Sequence, residues 1–243
     1  MRCSPRSTVD GRSKMAQQER AIKTRRTVLE AAAKVFAEHG YAAATVADIL
    51  KTAGVTKGAL YFHFDSKEAL AKGVLEIQTE QPPPPQDIKL QEMVDLTMTV
   101  ARRLVHDPVL RAGARLSADP TGRKHYGSAL PLWVNLLTAI LTEAHQRGET
   151  LPHVEPRPVA EMLVSAFHGV QLYAHQEADN NDIEERAATL LQYLLPSIAT
   201  PTTLIRLHIA PTPSGLGTVP TEVAHGAGDD GRVPTAVVSI ESR

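Results

Sequence analysis

Thr56, Lys57, Gly58 and Tyr61 gather hydrogen-bond donors and one positive charge within two turns of chain. A threonine that caps a helix leaves the unpaired amides of the first turn beside the Lys57 ammonium, so donors and charge converge on one point. Such a point suits a phosphate oxygen or the acceptor edge of a guanine. Gly58 has no side chain and lets the backbone approach that partner closely, although glycine weakens so short a helix by about 1 kcal/mol. Tyr61, one turn on, reaches the same face and can meet a phosphate or a thymine methyl. Leu60 and Phe64 stand four apart and point inward; Phe62 is expected to pack on the preceding helices and His63 to flank the nucleic-acid backbone.

The flanking pattern supplies the elements that hold these residues. Ile22, Val28, Leu29, Ala32, Val35 and Phe36 recur at helical spacing between Gln17 and His39, and Gly40 supplies a left-handed stop. Thr45 starts a second, short helix with Asp48 as its capping-box partner, and Gly54 ends it near Ala53. Thr56 caps a third helix, Lys57 to Phe64, and Asp65-Ser66-Lys67-Glu68 opens a fourth that runs to about Glu80. A short helix, a glycine turn and a shorter helix form the helix-turn-helix arrangement, whose second helix enters the major groove by its amino end. The same pair also occurs in plain structural bundles.

The charge distribution fits an anionic partner for this front. The chain of 243 residues has 26 Lys+Arg against 27 Asp+Glu. Residues 1–76 nevertheless hold 13 basic and 8 acidic side chains, whereas residues 77–243 hold 13 and 19. A basic front on an acidic body suits nucleic acid, with a chance fluctuation of surface charge as the bland alternative. A hydrophobic share of 42% supports a packed core. The lone Cys3 excludes an internal disulfide and a cysteine-based zinc site. No run of 18 apolar residues exists, and the first 14 residues lack the apolar region of a secretory signal. A soluble, reducing, cytoplasmic setting without membrane contact is therefore expected.

Residues 1–14 are expected to be a flexible extension, with Met15 as an alternative start, and residues 15–65 to form the DNA-binding head. Residues 66–200 should form a helical body, from amphipathic or apolar stretches near 88–106, 108–118, 128–147, 157–177 and 182–199. Pro82 to Pro85 break the helical pattern and read as a stiff connector rather than a proline-recognition ligand. Residues 201–243 are rich in Pro, Gly, Ser and Thr and read as a weakly ordered tail, in which Leu204 to Ile209 can form one more turn or a docked segment. The fold class is all-α. His168 and His175 stand seven apart but have no carboxylate at ligand spacing, and Asp179 to Glu185 lacks the central glycine of a calcium loop, so no metal is expected. Nothing calls for a cofactor. No nucleophile triad, phosphate-binding glycine loop or paired carboxylates support an enzyme.

The string from Ala53 to Phe64, followed by Lys67-Glu68 and preceded by Phe36-Ala-Glu-His-Gly-Tyr41 and Thr45-Val-Ala-Asp-Ile49, resembles the DNA-binding signature of TetR-type repressors. Lys67-Glu-Ala-Leu-Ala71, Val74-Leu-Glu-Ile-Gln78, Pro108-Val-Leu-Arg-Ala-Gly113 and the single Trp133 are similar to the γ-butyrolactone autoregulator receptors of actinomycetes. The resemblance spans about residues 17–200 and implies a homodimer on an inverted-repeat operator in double-stranded DNA, released by a small lactone. Lys57 would then carry the base contact, while Thr45, Thr56, Gly58, Tyr61, His63 and Lys67 line the groove or phosphates. Arg20, Lys23, Arg25 and Arg26 are phosphate anchors by charge and position. By itself Trp133 is a core residue as readily as a ligand wall; the resemblance sets it against a lactone ring. Gln78 would donate to a carbonyl in the same pocket, Ser165 would add a weaker polar contact, and Leu110, Val134, Leu137 and Val164 serve as walls or core. The stretches 159–167 and 187–195 are apolar over more than one stripe, which suits a four-helix dimer interface. Two other readings stay open: a repressor answering an antibiotic or pathway intermediate, and a small-molecule carrier with a vestigial head.

Overall fold

The computed structural model describes residues 8–80, 84–178 and 182–209. Helix α1 spans Thr8–Ala43, with its regular run closed at Gly40, where φ is +73°. Three short helices follow: α2 (Val46–Ala53), α3 (Lys57–His63) and α4 (Lys67–Glu76), the last continued by a 3₁₀ turn at Ile77–Thr79. Each has a built amino end. The Thr45 hydroxyl accepts from the Asp48 amide at 3.1 Å while the Asp48 carboxylate accepts from the Thr45 amide at 3.2 Å. Thr56 accepts from the Ala59 amide at 3.2 Å and Ser66 from the Ala69 amide at 3.1 Å. Helices this short are marginal alone, so caps worth about 1 kcal/mol each matter to where they begin.

The head closes over one apolar cluster. Leu29 and Phe36 of α1, Ile49 of α2, Leu60 of α3 and Leu70 of α4 are each essentially solvent-free. The cluster does not stop at the head: Ala112 and Leu116 of α6 (Pro108–Ala118) and Tyr126 of α7 (Arg123–Tyr126) belong to it. A second cluster fills the body between α5 (Lys89–Leu104), α8 (Leu130–Gln146), α9 (Pro156–Ala178) and α10 (Ile183–Ile198). A third, small one joins Leu104, Leu110, Ala174 and Ile183. Trp133 packs against all three.

One end of the body is tied by polar groups. The Glu149 carboxylate accepts from the Lys89 amide at 3.0 Å and the Leu90 amide at 2.9 Å, supplying the cap that Ile88 cannot give α5. The Lys89 ammonium lies 2.8 Å from Glu92 and 3.2 Å from Glu143. The Leu151 amide donates to the Ile198 carbonyl at 2.8 Å and the Thr200 amide to the Glu149 carbonyl at 3.0 Å.

The structure departs from the expected boundaries in two places. Residues 8–14, read as part of a flexible extension, are helical, because adding a turn to an existing helix avoids the cost of nucleation. Ile22, counted on the buried stripe, is 62% exposed, since the packed part of α1 begins later, at Val28. At the other end the body does not stop at residue 200. Helix α11 (Pro201–Leu204) follows, and Leu204, Leu207 and Ile209 pack on the body cluster. Gln91 fixes this segment through the His208 main chain, donating to its carbonyl at 3.0 Å and accepting from its amide at 2.8 Å. Residues 210–243, Pro82 and Pro83, and Asp179 to Asn181 lie outside the described residues; Pro84 and Pro85 are non-helical. No strand forms among the described residues beyond a single bridge between Thr150 and Ala199.

Candidate nucleic-acid interface and internal cavity

Helix α3 presents its amino end to solvent. Thr56, Lys57 and Gly58 are exposed, and Tyr61 is 42% exposed. The Lys57 ammonium lies 5.8 Å from the centre of the Tyr61 ring, which biases the lysine along the outer face. A Cβ at Gly58 would meet no protein atom within 4 Å, so packing inside the protein does not require a glycine there. The clearance is left for a partner outside. Leu60 and Phe64 anchor the opposite face, at 1% and 4% exposure.

Several side chains stand differently from what the sequence leads one to expect. Phe62 does not pack on the preceding helices: it is 79% exposed, because two residues from both Leu60 and Phe64 is the opposite side of a helix with 3.6 residues per turn. It meets His63 edge-on at 5.0 Å, and His63 is half-buried between the rings of Phe62 and Phe64. Lys67 faces inward. Its ammonium donates to the carbonyls of Tyr41 at 2.9 Å and Ala44 at 3.0 Å and sits 4.5 Å from the Tyr41 ring centre. It thereby fixes the link between α1 and α2, a different placement from the groove contact that the resemblance implies. Thr45 is exposed, but its hydroxyl already accepts from the Asp48 amide and donates to the Asp48 carboxylate, holding that carboxyl below the usual range. On α1, Arg20 and Lys23 are exposed. The Arg25 guanidinium instead lies 5.3 Å from the Phe64 ring centre, and Arg26 pairs with Glu30 at 3.0 Å and Glu80 at 3.7 Å.

An internal cavity lies between the 3₁₀ turn and helices α5, α6, α8 and α9. The hollow is narrow, with a cavity volume of about 60 Å³. Trp133 lines it, with Leu130 and Leu137 from the same face of α8. Gln78 and Leu110 line it as expected, as does Val164. The Gln78 side chain is 7% exposed; its Nε2 donates to the Leu75 carbonyl at 3.2 Å, and its amide lies flat on the α6 backbone at Gly113.

Two candidates leave the set. Ser165 is exposed, one residue past Val164 and rotated off the cavity face of α9. Val134 is buried in the body cluster, one residue past Trp133, and does not reach the cavity. In their place stand polar groups that the sequence reading did not assign: Thr97, Ser117, His168 and Gln171. The available signal was the row of small residues Gly113, Ala114 and Ser117 on one side of α6, facing bulky side chains across the hollow. No Lys, Arg, Asp or Glu lines the cavity among the described residues. A buried charge would lack a counter-ion there, which favours an uncharged, mainly apolar guest.

The helices read as doubly apolar show both faces. Leu163, Val164, Leu191 and Leu195 point inward, while Met162, Leu172 and Tyr173 of α9 and Tyr193 of α10 are exposed by 42–81%. Large apolar side chains grouped on two neighbouring helices suit a second copy of the chain. No helix among the described residues is long and apolar enough to cross a membrane.

Comparison with known proteins agrees with this geometry. Residues 28–74 match the family described as bacterial regulatory proteins, tetR family, and residues 88–199 the tetracyclin repressor-like C-terminal domain. The chain is 38% identical over 205 residues to the A-factor receptor protein of Streptomyces griseus, covering 81% of this chain and 71% of that one. Among solved structures, tylp, a tetr regulator from Streptomyces fradiae, superposes with a TM-score of 0.74 at 41% identity, over 80% of this chain and 87% of its own. An ArpA-like γ-butyrolactone receptor superposes with a TM-score of 0.55 at 31% identity, over 77% and 93%. With an outward-facing reading helix, a helical body enclosing a hollow, and similarity along both, the chain belongs to the tetR family of bacterial regulatory proteins and is a transcriptional regulator rather than an enzyme.

Proposed function

We propose that this protein is a dimeric repressor that binds an inverted-repeat operator through the amino end of α3 and is released by a neutral γ-butyrolactone or butenolide. The observation that carries the reading is the capped, solvent-facing set Thr56, Lys57, Gly58 and Tyr61 on a helix whose other face is locked into the core. Lys57 provides base-edge discrimination of about 1–3 kcal/mol; Arg20 and Lys23 provide phosphate contacts and salt dependence. Two-fold symmetry requires half-sites about 34–36 Å apart or slightly more. The working division is a reading head over residues 15–65 and an effector and dimer body over 66–200, continued to Ile209 by the docked segment. Such a regulator acts where the chromosome is, in the cytoplasm.

The effector reading rests on the uncharged hollow beside Trp133 and on the similarity to lactone receptors. Gln78 stands at the end of the α4 segment that starts with Lys67, so a guest that displaces the Gln78 amide acts on the helix joining cavity and head. Gel-shift titration with γ-butyrolactones and butenolides tests this. A coupling of ordinary strength weakens operator binding about 5–150-fold. Lactones that bind without changing operator affinity would overturn the switching claim, and release only by an antibiotic or biosynthetic intermediate would reassign the signal. The carrier reading is disfavoured by the intact outer face of α3.

A further inference from the structure

Arg115 projects from α6 onto the carboxyl end of the regular run of α1. Its Nη1 donates to the carbonyl oxygens of Ala37 at 2.9 Å and Glu38 at 3.0 Å. A helix end leaves such carbonyls without internal partners, and the negative pole of the helix dipole favours a cation beside them. Gly40 completes the fit: a Cβ there would stand 3.1 Å from the Arg115 Nε and 3.2 Å from its Nη2. No carboxylate among the described residues pairs with Arg115, so its charge is directed at α1 alone.

The residues beside Arg115 on the same helix face the hollow. Leu110, Gly113, Ala114 and Ser117 of α6 line the cavity, and Ala114 immediately precedes Arg115. A packed helix moves as a unit, so a guest that shifts α6 shifts the guanidinium with it. From the end of α1 the contacts continue without a gap. The carbonyls of Tyr41 and Ala44 are held by the Lys67 ammonium, and the next residue, Thr45, caps α2.

We propose that Arg115 is a positioning residue that couples the cavity to the reading helix by gripping the last turn of α1. This route runs from α6 through α1 to α2 and α3; it leaves the cavity by a different helix from the route through Gln78 and meets α4 only at Lys67. It rests on the operator-binding reading above but not on the identity of the effector. Its removal alters the coupling between the two sites more than binding at either one.

Because coupling is reciprocal, it can be read from the DNA side without an effector. Trp133 is the sole tryptophan and lines the cavity, so its emission reports the state of the hollow. The probe is an inverted-repeat duplex selected by the wild-type protein from a random-sequence pool. Saturation with this duplex should change Trp133 emission in the wild type. In Arg115→Met the duplex should still bind selectively, while the emission change shrinks at least about three-fold. Arg115→Lys keeps a donor cation at the helix end and should retain part of the response; if Arg115→Met is too unstable to bind, the lysine variant decides by the same comparison. An emission change equal to wild type in a duplex-bound variant overturns the proposal, as does a wild-type emission that ignores the duplex. Absence of any selective duplex for the wild type removes the operator reading and the coupling with it. Selective binding with an Arg115-independent response removes the coupling alone.

Discussion

Replacing Gly113 by alanine should change sign in its effect on stability according to what stands at position 78. In an ordinary helix interior the replacement gains about 0.8–1.0 kcal/mol. Here the three nearest atoms to the added Cβ all belong to the Gln78 carboxamide, each at 2.2 Å, far inside the ~3.5–4.0 Å of a normal carbon contact. The Gln78 side chain is 7% exposed and can retreat only by giving up its place and its bond to the Leu75 carbonyl. Overpacking costs about 1–3 kcal/mol and the lost hydrogen bond about 0.5–1.5 kcal/mol, so Gly113→Ala should destabilise the protein by about 1–3 kcal/mol net. In a Gln78→Ala background the obstruction is absent, and the same replacement should stabilise by up to about 1 kcal/mol. At about 2–4 °C per kcal/mol for a chain of this size, melting should drop by about 2–12 °C in the first background and rise by up to about 4 °C in the second. The four proteins should be compared at one protomer concentration, since association shifts the midpoint of a dimer. A shift of the same sign and size in both backgrounds would refute the placement of Gln78 on α6, and with it the link between the end of α4 and the cavity wall.

Lys57→Ala should lower the preference for the selected duplex over a scrambled one about 5–150-fold with little loss of nonspecific binding, measured by competition gel shift. Lys23→Ala should reduce the slope of log affinity against log salt by about 1, whereas Lys67→Met should lower thermal stability by about 1–3 kcal/mol and leave that slope unchanged, because its ammonium is committed to two carbonyls. Glu143 is held below the ordinary glutamate pKa, chiefly by its hydrogen bond from Lys89. A depressed folded-state pKa contributes stability that is present above the unfolded value of about 4.3 and is lost as pH falls through the folded one. The melting difference between wild type and Glu143→Gln should therefore be constant near neutrality and vanish at more acidic pH; a difference that persists under strong acid would contradict the pairing.

Local chemistry made the head legible in the sequence. Thr45 with Asp48, Gly54, Thr56 and Ser66 are short-range signals, and each sets a boundary that the structure keeps within a residue or two. What stayed hidden depends on contacts distant in the chain. The resemblance implies a groove contact for Lys67, yet its partners in the fold are carbonyls 23 and 26 residues away. Phe62 was assigned to the core by its apolar ring, although its helical phase already opposed Leu60 and Phe64. In the body, helical periodicity located each segment but not the rotation of each helix about its axis. A turn of one residue separates Trp133 from Val134 and Val164 from Ser165, and that turn decides which of each pair meets the hollow. Apart from the row of small residues on α6 that includes Ser117, the polar groups Thr97, His168 and Gln171 carry no short-range mark, because a cavity is defined by what five elements leave unfilled.

The Glu149 cap sets where the body can yield. Helix α5 begins in that polar knot and reaches the hollow only at Leu96, about 10 Å further along its axis. Helix α8 ends in the knot through Glu143 and Arg147, whereas Leu130 and Trp133 face the hollow near its start. Both helices are thus anchored together at this end, so a wedge in the hollow bends them about a common root. At their far ends the two differ: Ala129 and Trp133 at the start of α8 pack on the head cluster, whereas Leu104 at the end of α5 is held by Leu110, Ala174 and Ile183.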